Sequence, residues 1–306
     1  MPLNFGYLGM GKQSAVNTPV APTLFFRLQD LPSVRAVAQF AEFPAFDNYG
    51  TPNIVPAQRY GEAEVSVVVT PRAIGALLSA LLGLPTTTGT APNFIHSFTP
   101  KTSFSYWTVE AQDGIGIHRL VGGLASRLEF THRADGYLTA RATLVGVDRT
   151  TTGTAATPSY EDSPFPVGQA TVSVAGSAIT ARVEEVSVVL DFPKSPFQSL
   201  STVAAADVHP EGTGDVTANM TVVFDSTGDA NRLSDYLAVT ARAVALTWTR
   251  DANTEITISF QGILTEDPWA RANNDTGMAR ARFAFKAVRS SGNLVTVTLK
   301  NGQSSY

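Results

Sequence analysis

The sequence predicts a mainly β protein, a duplicated β-sandwich with one flanking helix in each repeat. Three observations predict it. Most of the chain alternates with period two and is rich in Val, Thr, Phe and Ile, the mark of half-buried strands. One helical segment interrupts the alternation in each half. The two halves also present similar patterns in the same order, at offsets that shift only where loop lengths would change.

The N-terminal stretch GYLGMGKQSA, residues 6–15, spells most of a phosphate-binding loop, with Gly6, Gly11 and Lys12 at the G-x-x-x-x-G-K spacing. Gln13 stands where that loop needs Ser or Thr for Mg²⁺, no full strand precedes it, and Pro19 and Pro22 break the helix that should follow. A nucleotide site is rejected on that context. Residues 1–22 are expected to form an arm, 23–165 the first sandwich repeat and 166–306 the second.

The first helix has Thr70 as its expected N-cap, Pro71 at the first helical position and Gly83 as its stop. Ile74, Leu77, Leu78, Leu81 and Leu82 share one face, while Gly75, Ala76, Ser79 and Ala80 make the other small, so packing on two sides is expected. An offset of 155 carries Val65, Val67 and Val69 onto Met220, Val222 and Phe224, and Leu78 and Leu82 onto Leu233 and Leu237. The same offset matches Leu124–Phe130 with Ala279–Phe285 and Ala140–Leu144 with Val295–Leu299, read as equivalent hairpins. Val34–Phe40 matches Val186–Phe192 at 152, and Trp107, Ile115 and Ile117 match Trp248, Ile256 and Ile258 at 141.

Composition narrows the function. Of 306 residues 43% are hydrophobic and only 16% charged, against roughly 25% charged in ordinary soluble proteins, which points to surface covered by a partner of the same kind. A net charge of −4 argues against a nucleic-acid-binding surface, which would carry basic stripes. The chain has no cysteine, so disulfides, thiolate nucleophiles and thiolate metal sites are excluded. Met1–Gln13 lacks the pattern of a signal peptide, and Ala73–Leu84 is too short to span a bilayer, so a soluble protein made in a cytoplasm is expected.

No catalytic constellation emerges. His96, His118, His132 and His209 have no i, i+4 partner, and no G-x-S-x-G elbow occurs. Asp225, Thr227, Asp229 and Asn231 start like a calcium loop, but Ala230 and Tyr236 occupy its required Gly and Glu positions. Glu184 and Glu185 are adjacent on a strand and are expected on opposite faces. The reading is not an enzyme, with no cofactor and no metal.

The segment GYLGMGKQSAVNTPVAPTLFFRL resembles the opening of a siphophage tail tube (major tail) protein family, with Lys12, Thr18, Val20 and Pro22–Phe26 carrying the match. NFIHSFTP, YWTVEAQDG and HRLVGGLASRLEFTHRADGYLTARATLVG resemble later segments of the same family. The resemblance implies a tail-tube-type sandwich whose inner sheets join into a ring-wide β-barrel. It implies a virion protein, assembled in the host bacterial cytoplasm, that polymerises as stacked rings around the path of DNA ejection. Tape measure, tail tip and tail terminator proteins are the implied partners, with no membrane. Ordinary members form rings of six, so a duplicated chain suggests a trimeric ring with pseudo-six-fold symmetry. A tail completion or collar ring protein of the same fold, and a monomeric β-sandwich carbohydrate-binding module, are the alternatives.

A tube for DNA should not hold phosphate, so its wall should be polar or acidic. Asp215, Thr217, Asn219 and Thr221 alternate with apolar residues on one strand, Glu185, Ser187 and Asp191 on the strand before, and Glu62 and Glu64 on the equivalent strand of the first half. These nine are the lumen candidates. Arg127, Arg141, Arg280 and Arg282 are expected in subunit contacts or on the exterior. The long loops Pro44–Tyr60 and Pro193–Thr213 are suited to ring stacking, with Phe46, Tyr49, Ile54, Phe197 and Leu200 as contacts.

Overall fold

The computed structural model describes residues 6–43, 53–160, 163–179, 182–223, 227–268, 280–289 and 292–306. The first half contains β1 (Leu8–Lys12), β2 (Leu24–Leu28), β3 (Ser33–Phe43), β4 (Asn53–Val68), α1 (Ile74–Leu82), β5 (Thr86–Thr90), β6 (Asn93–Phe98), β7 (Trp107–Gln112), β8 (Ile117–Arg133), β9 (Thr139–Gly146) and β10 (Asp148–Thr150). The second contains β11 (Ala170–Val174), β12 (Ser177–Ala178), β13 (Val183–Asp191), β14 (Lys194–Phe197), β15 (Asp207–Pro210), β16 (Asp215–Val223), α2 (Thr227–Leu237), β17 (Arg242–Asp251), β18 (Thr254–Leu264), β19 (Arg280–Ala287) and β20 (Thr296–Asn301).

One antiparallel sheet runs through both halves in the order β3-β4-β9-β8-β13-β16-β19-β18. Outer strands cover its apolar face: β2-β1-β7-β8-β10 in the first half and β12-β11-β17-β18-β20-β6-β5 in the second. β8 and β18 serve both layers, pairing with outer strands over their first part and with the long sheet over their last. A short β2–β4 pairing closes β1-β2-β4-β9-β8-β7 into a ring of strands.

Alternation makes these layers. In β16, Val216, Ala218, Met220 and Val222 are buried, while the residues between them are partly exposed. Phe26, Phe130, Trp107, Trp248 and Phe283 fill one core shared by both halves. Burying each such side chain stabilises the fold by about 1.5–3 kcal/mol.

The same pairings occur in both halves: β1 to β2 and β7, β8 to β7, β9 and β10, β4 to β3 and β9, against β11 to β12 and β17, β18 to β17, β19 and β20, β16 to β13 and β19. The helix ends agree at the sequence offset, since Gly83 N–H donates to Ser79 O and Ala238 N–H to Ser234 O. The hairpin match does not hold. β8 and β9 pair with each other, whereas β19 and β20 both pair with β18, so β19 takes the place of β9 and β20 that of β10. The tryptophan match is four residues out of register. Gln13 N–H to Tyr106 O corresponds to Ala175 N–H to Ala243 O, which aligns Trp107 with Val244. An even slip preserves inward and outward phase, which is why the pattern looked right. Ile115 is 96% exposed in a turn while Ile256 is buried in β18.

The N-terminal segment is not a free arm over Leu8–Lys12, which is the strand between β2 and β7. Its glycines reflect close packing: a Cβ on Gly9 would lie 2.6 Å from Pro22 Cβ, and one on Gly11 would lie 2.5 Å from Ala21 O. Lys12 Nζ donates to Tyr306 O at 2.6 Å, so it is occupied within the chain.

α1 is buried on every side, as its small face suggests, although its N-cap residue is Ala73 without a side-chain cap, not Thr70. Gly83 ends it at φ +97°. The Tyr306 ring from the second half lies where a Cβ on Gly75 would fall, and Tyr306 Oη donates to Arg72 O at 2.9 Å. α2 has less cover in this chain, and Leu237 is 71% exposed.

The two long loops differ. Of Pro44–Tyr60, residues 53–60 are strand, continuing β4 as a two-stranded projection with β3. The second loop contains the hairpin β14–β15, which folds back on the first half. There Ala205 and Val208 bury Val121, Leu124, Val145 and Val147, and Tyr106 Oη donates to Asp207 at 2.5 Å. Lys194 lies over the Phe104 ring at 4.1 Å and is 7% exposed, and burial pulls its ammonium down to about 8.

The linker between halves is tied to the first half by a buried network. Glu110, fully buried, accepts from Tyr7 Oη and Arg119, and Tyr7 Oη accepts from Ala156 N–H at 2.6 Å. Arg119 also donates to Thr152 O at 3.0 Å and Thr154 O at 3.2 Å.

Two consequences are measurable. Glu110→Ala leaves Arg119 without its buried counter-charge and should cost about 3–5 kcal/mol in chemical denaturation. Lys194 is the opposite case, a cation whose folded pKa lies below its unfolded one. Stability should therefore rise as pH increases from about 8 towards the unfolded lysine value. Lys194→Met should remove that rise and raise stability at pH 7 by about 1 kcal/mol or more, read by thermal melting.

Candidate functional site: the polar face of the long sheet

The face of the long sheet turned away from the core is continuous across both halves. Pairing registers arrange it in rows. One row runs Ser33, Glu64, Thr143, Arg127, Asp191, Asp215, and the next Ser66, Arg141, Glu129, Val189, Thr217, Lys286. A third, Val68, Thr139, Thr131, Ser187, Asn219, Ala284, carries no charge, and a fourth holds Arg133, Glu185, Thr221 and Arg282. Glu62 lies two residues before Glu64 on the same face, opposite Arg35. All nine polar candidates are thus brought together on one surface.

The arginines expected elsewhere share that surface. Arg141 pairs with Glu64 at 3.0 Å, Arg127 with Glu129 at 3.4 Å, and Arg280 with Glu184 at 2.7 Å, while Arg282 donates to Asn219 at 2.9 Å. The reason is positional: β9 and β8 lie between the acidic strands β4 and β13, β19 flanks β16, and their arginines share the phase of those acids. The sequence reading also missed Arg35, Glu129, Arg133 and Lys286, which pair with Glu62 at 2.6 Å, Arg127, Glu185 at 3.9 Å and Asp215 at 3.0 Å. The i, i+2 spacing of Arg127 and Glu129 on a strand was the available signal. The face is therefore a lattice of acids and bases, not an acidic wall.

Glu184 and Glu185 do not alternate as expected. A register shift between Val183 and Glu185 breaks the phase, and both carboxylates reach arginines of this face. The Arg280 guanidinium hydrogen-bonded to Glu184 holds its carboxyl below the usual range.

Ile54 is 55% exposed on the projecting part of β4, and Phe197 and Leu200 are exposed on the β14–β15 segment, Phe197 edge-on to His209 at 5.5 Å. Phe46 and Tyr49 lie outside the described residues. The histidines do structural work: His96 is buried between Thr87 at 2.8 Å and Gln303 O at 2.8 Å, and His132 Nδ1 accepts from Trp248 at 2.9 Å. Among the described residues no cluster of His, Asp or Glu is suited to a metal, and no helix is long and apolar enough to cross a membrane.

A sheet spanning two similar halves, with a self-paired polar face and large apolar side chains exposed on its projections, defines a structural protein of the sheet-building kind. The sequence model of one family, described as phage tail tube protein, matches residues 6–287, and the chain belongs to that family. It is accordingly a structural component of a phage virion and not an enzyme. No curated protein matches the chain.

Because these ion pairs are solvated, each contributes less than about 1 kcal/mol. Glu64→Gln and Arg141→Gln should each change the melting free energy by no more than about 0.5 kcal/mol, measured by urea denaturation, although each alters the charge of the face.

Proposed function

We propose that the protein polymerises as stacked rings into the tail tube, with the polar face of the long sheet lining the lumen through which DNA is ejected. The observation that carries this is the long sheet itself, which crosses from one half to the other without a break and whose outer β3 edge has no strand partner among the described residues. An exposed strand of 11 residues is an aggregation hazard in a monomer, and joining sheets around a ring removes it. The common pairing order supports two copies of one sandwich unit per chain, and hence a ring of three chains with pseudo-six-fold symmetry. The β3–β4 projection and the β14–β15 segment, with Ile54, Phe197 and Leu200, supply contacts to neighbouring rings. Tape measure, tail tip and tail terminator proteins are its partners in the tail.

A charge-balanced wall passes DNA for a reason distinct from repulsion: its cations are already neutralised by carboxylates, so phosphate gains little by displacing them.

Electron microscopy of the purified protein across a concentration series tests the assembly. Stacked rings with a central hole, in multiples of three chains by mass photometry, are expected, whereas rings built only from multiples of six would remove the pseudo-symmetry. The lumen assignment is tested by Glu64→Gln, Asp191→Asn and Asp215→Asn combined. This frees Arg141 and Lys286, removes the carboxylate opposite Arg127, and should slow DNA ejection, more at low salt than at high. Unchanged ejection at every salt concentration would place the face elsewhere.

A further inference from the structure

The seam inside the chain is a template for the seam between chains. In the first half, β8 continues past its outer-layer part and pairs with β13 of the second half, Arg127 opposite Asp191, Leu128 opposite Leu190 and Glu129 opposite Val189. In the second half, β18 ends at Leu264, and the pairing is carried one residue further by Thr265, whose N–H and Oγ1 both donate to Ala284 O, at 2.9 and 3.2 Å. On the opposite side of residues 265–268, no strand pairs among the described residues. At the other end of the long sheet, β3 pairs only with β4 among the described residues.

Matching backbone bonds fix which positions correspond. Val147 N–H donates to Val121 O after β9, and Val288 N–H donates to Gln261 O after β19. The helix-end bonds, Gly83 to Ser79 and Ala238 to Ser234, fix β4 against β16. Followed through the strand pairs, Thr265 takes the place of Arg127, and Val37 on β3 takes the place of Asp191.

We infer that residues 265–268 of one copy pair antiparallel with the outer edge of β3 in a second copy, Thr265 opposite Val37, Glu266 opposite Ala36 and Asp267 opposite Arg35. This rests on the ring reading above and adds which edges meet and in what register. Asp267 faces Arg35, the guanidinium that Glu62 holds within the chain, so the two carboxylates share it, and Glu266 beside the small Ala36 falls on the core side, where Leu128 stands in the internal seam. A slip of one residue would turn the apolar face of β3 outward, and a slip of two would lose the acid–base pair.

The chain has no cysteine, so introduced thiols are the only ones present. Val37→Cys and Thr265→Cys proteins, purified separately and mixed under mild oxidation in assembly conditions, should form a disulfide-linked dimer that neither forms alone. Its rate should exceed that of a Gln39→Cys and Thr265→Cys mixture, two residues out of register, by at least ten-fold. If the proteins form rings by microscopy but the matched pair links no faster than the shifted one, the register is wrong and the ring reading stands. If the unsubstituted protein forms neither rings nor tubes at any concentration, the ring reading falls and the seam with it. A charge exchange gives an independent arm. Arg35→Asp should reduce assembly at least ten-fold, and Asp267→Arg in the same chain should restore it. Failure of that rescue with unchanged melting overturns the Asp267–Arg35 pairing.

Discussion

Seven residue pairs between β8 and β13 hold this molecule in its form. They carry the long sheet from the first half into the second. With them the rows of side chains on the polar face continue from Ser33 to Lys286. The seam brings Phe130 of the first half beside Trp248 of the second, stacked at 6.4 Å between ring centroids, and so places one core under both halves. The bend in β8 makes the seam possible. Gly122, at φ +62°, sits where the strand leaves the outer layer, and a Cβ there would lie 2.8 Å from Val16 O.

Other contacts crossing the seam reinforce it. Tyr306 closes over α1, the β5–β6 hairpin extends the outer layer of the second half through β20, and the β14–β15 segment covers an apolar patch at the end of β8 and β9. These crossings run in both directions, so neither half is complete without the other.

The polar face shows how a wall can be hydrophilic without a strong net field. Opposite charges meet across strand boundaries at Arg35–Glu62, Arg141–Glu64 and Lys286–Asp215, and along one strand at Arg127–Glu129. Such pairs contribute little to stability, but they lower the net charge of the face.

Much was legible in the sequence because it depends on local periodicity. Alternation identified the strands, small residues on α1 foretold its burial on two sides, and all nine polar candidates fell on the face their parity assigned. Parity could not decide register or partner, because an even slip leaves the pattern unchanged. That is how Trp107 was matched with Trp248 and the hairpin of the first half with two strands that do not pair. Nor could parity show that the arginines share a face with the acids, which only the order β4-β9-β8-β13-β16-β19 reveals. The sequence by itself determined which residues turn inward along each strand. Which strands lie side by side, and therefore which charges meet, was decided by long-range packing that no local window records.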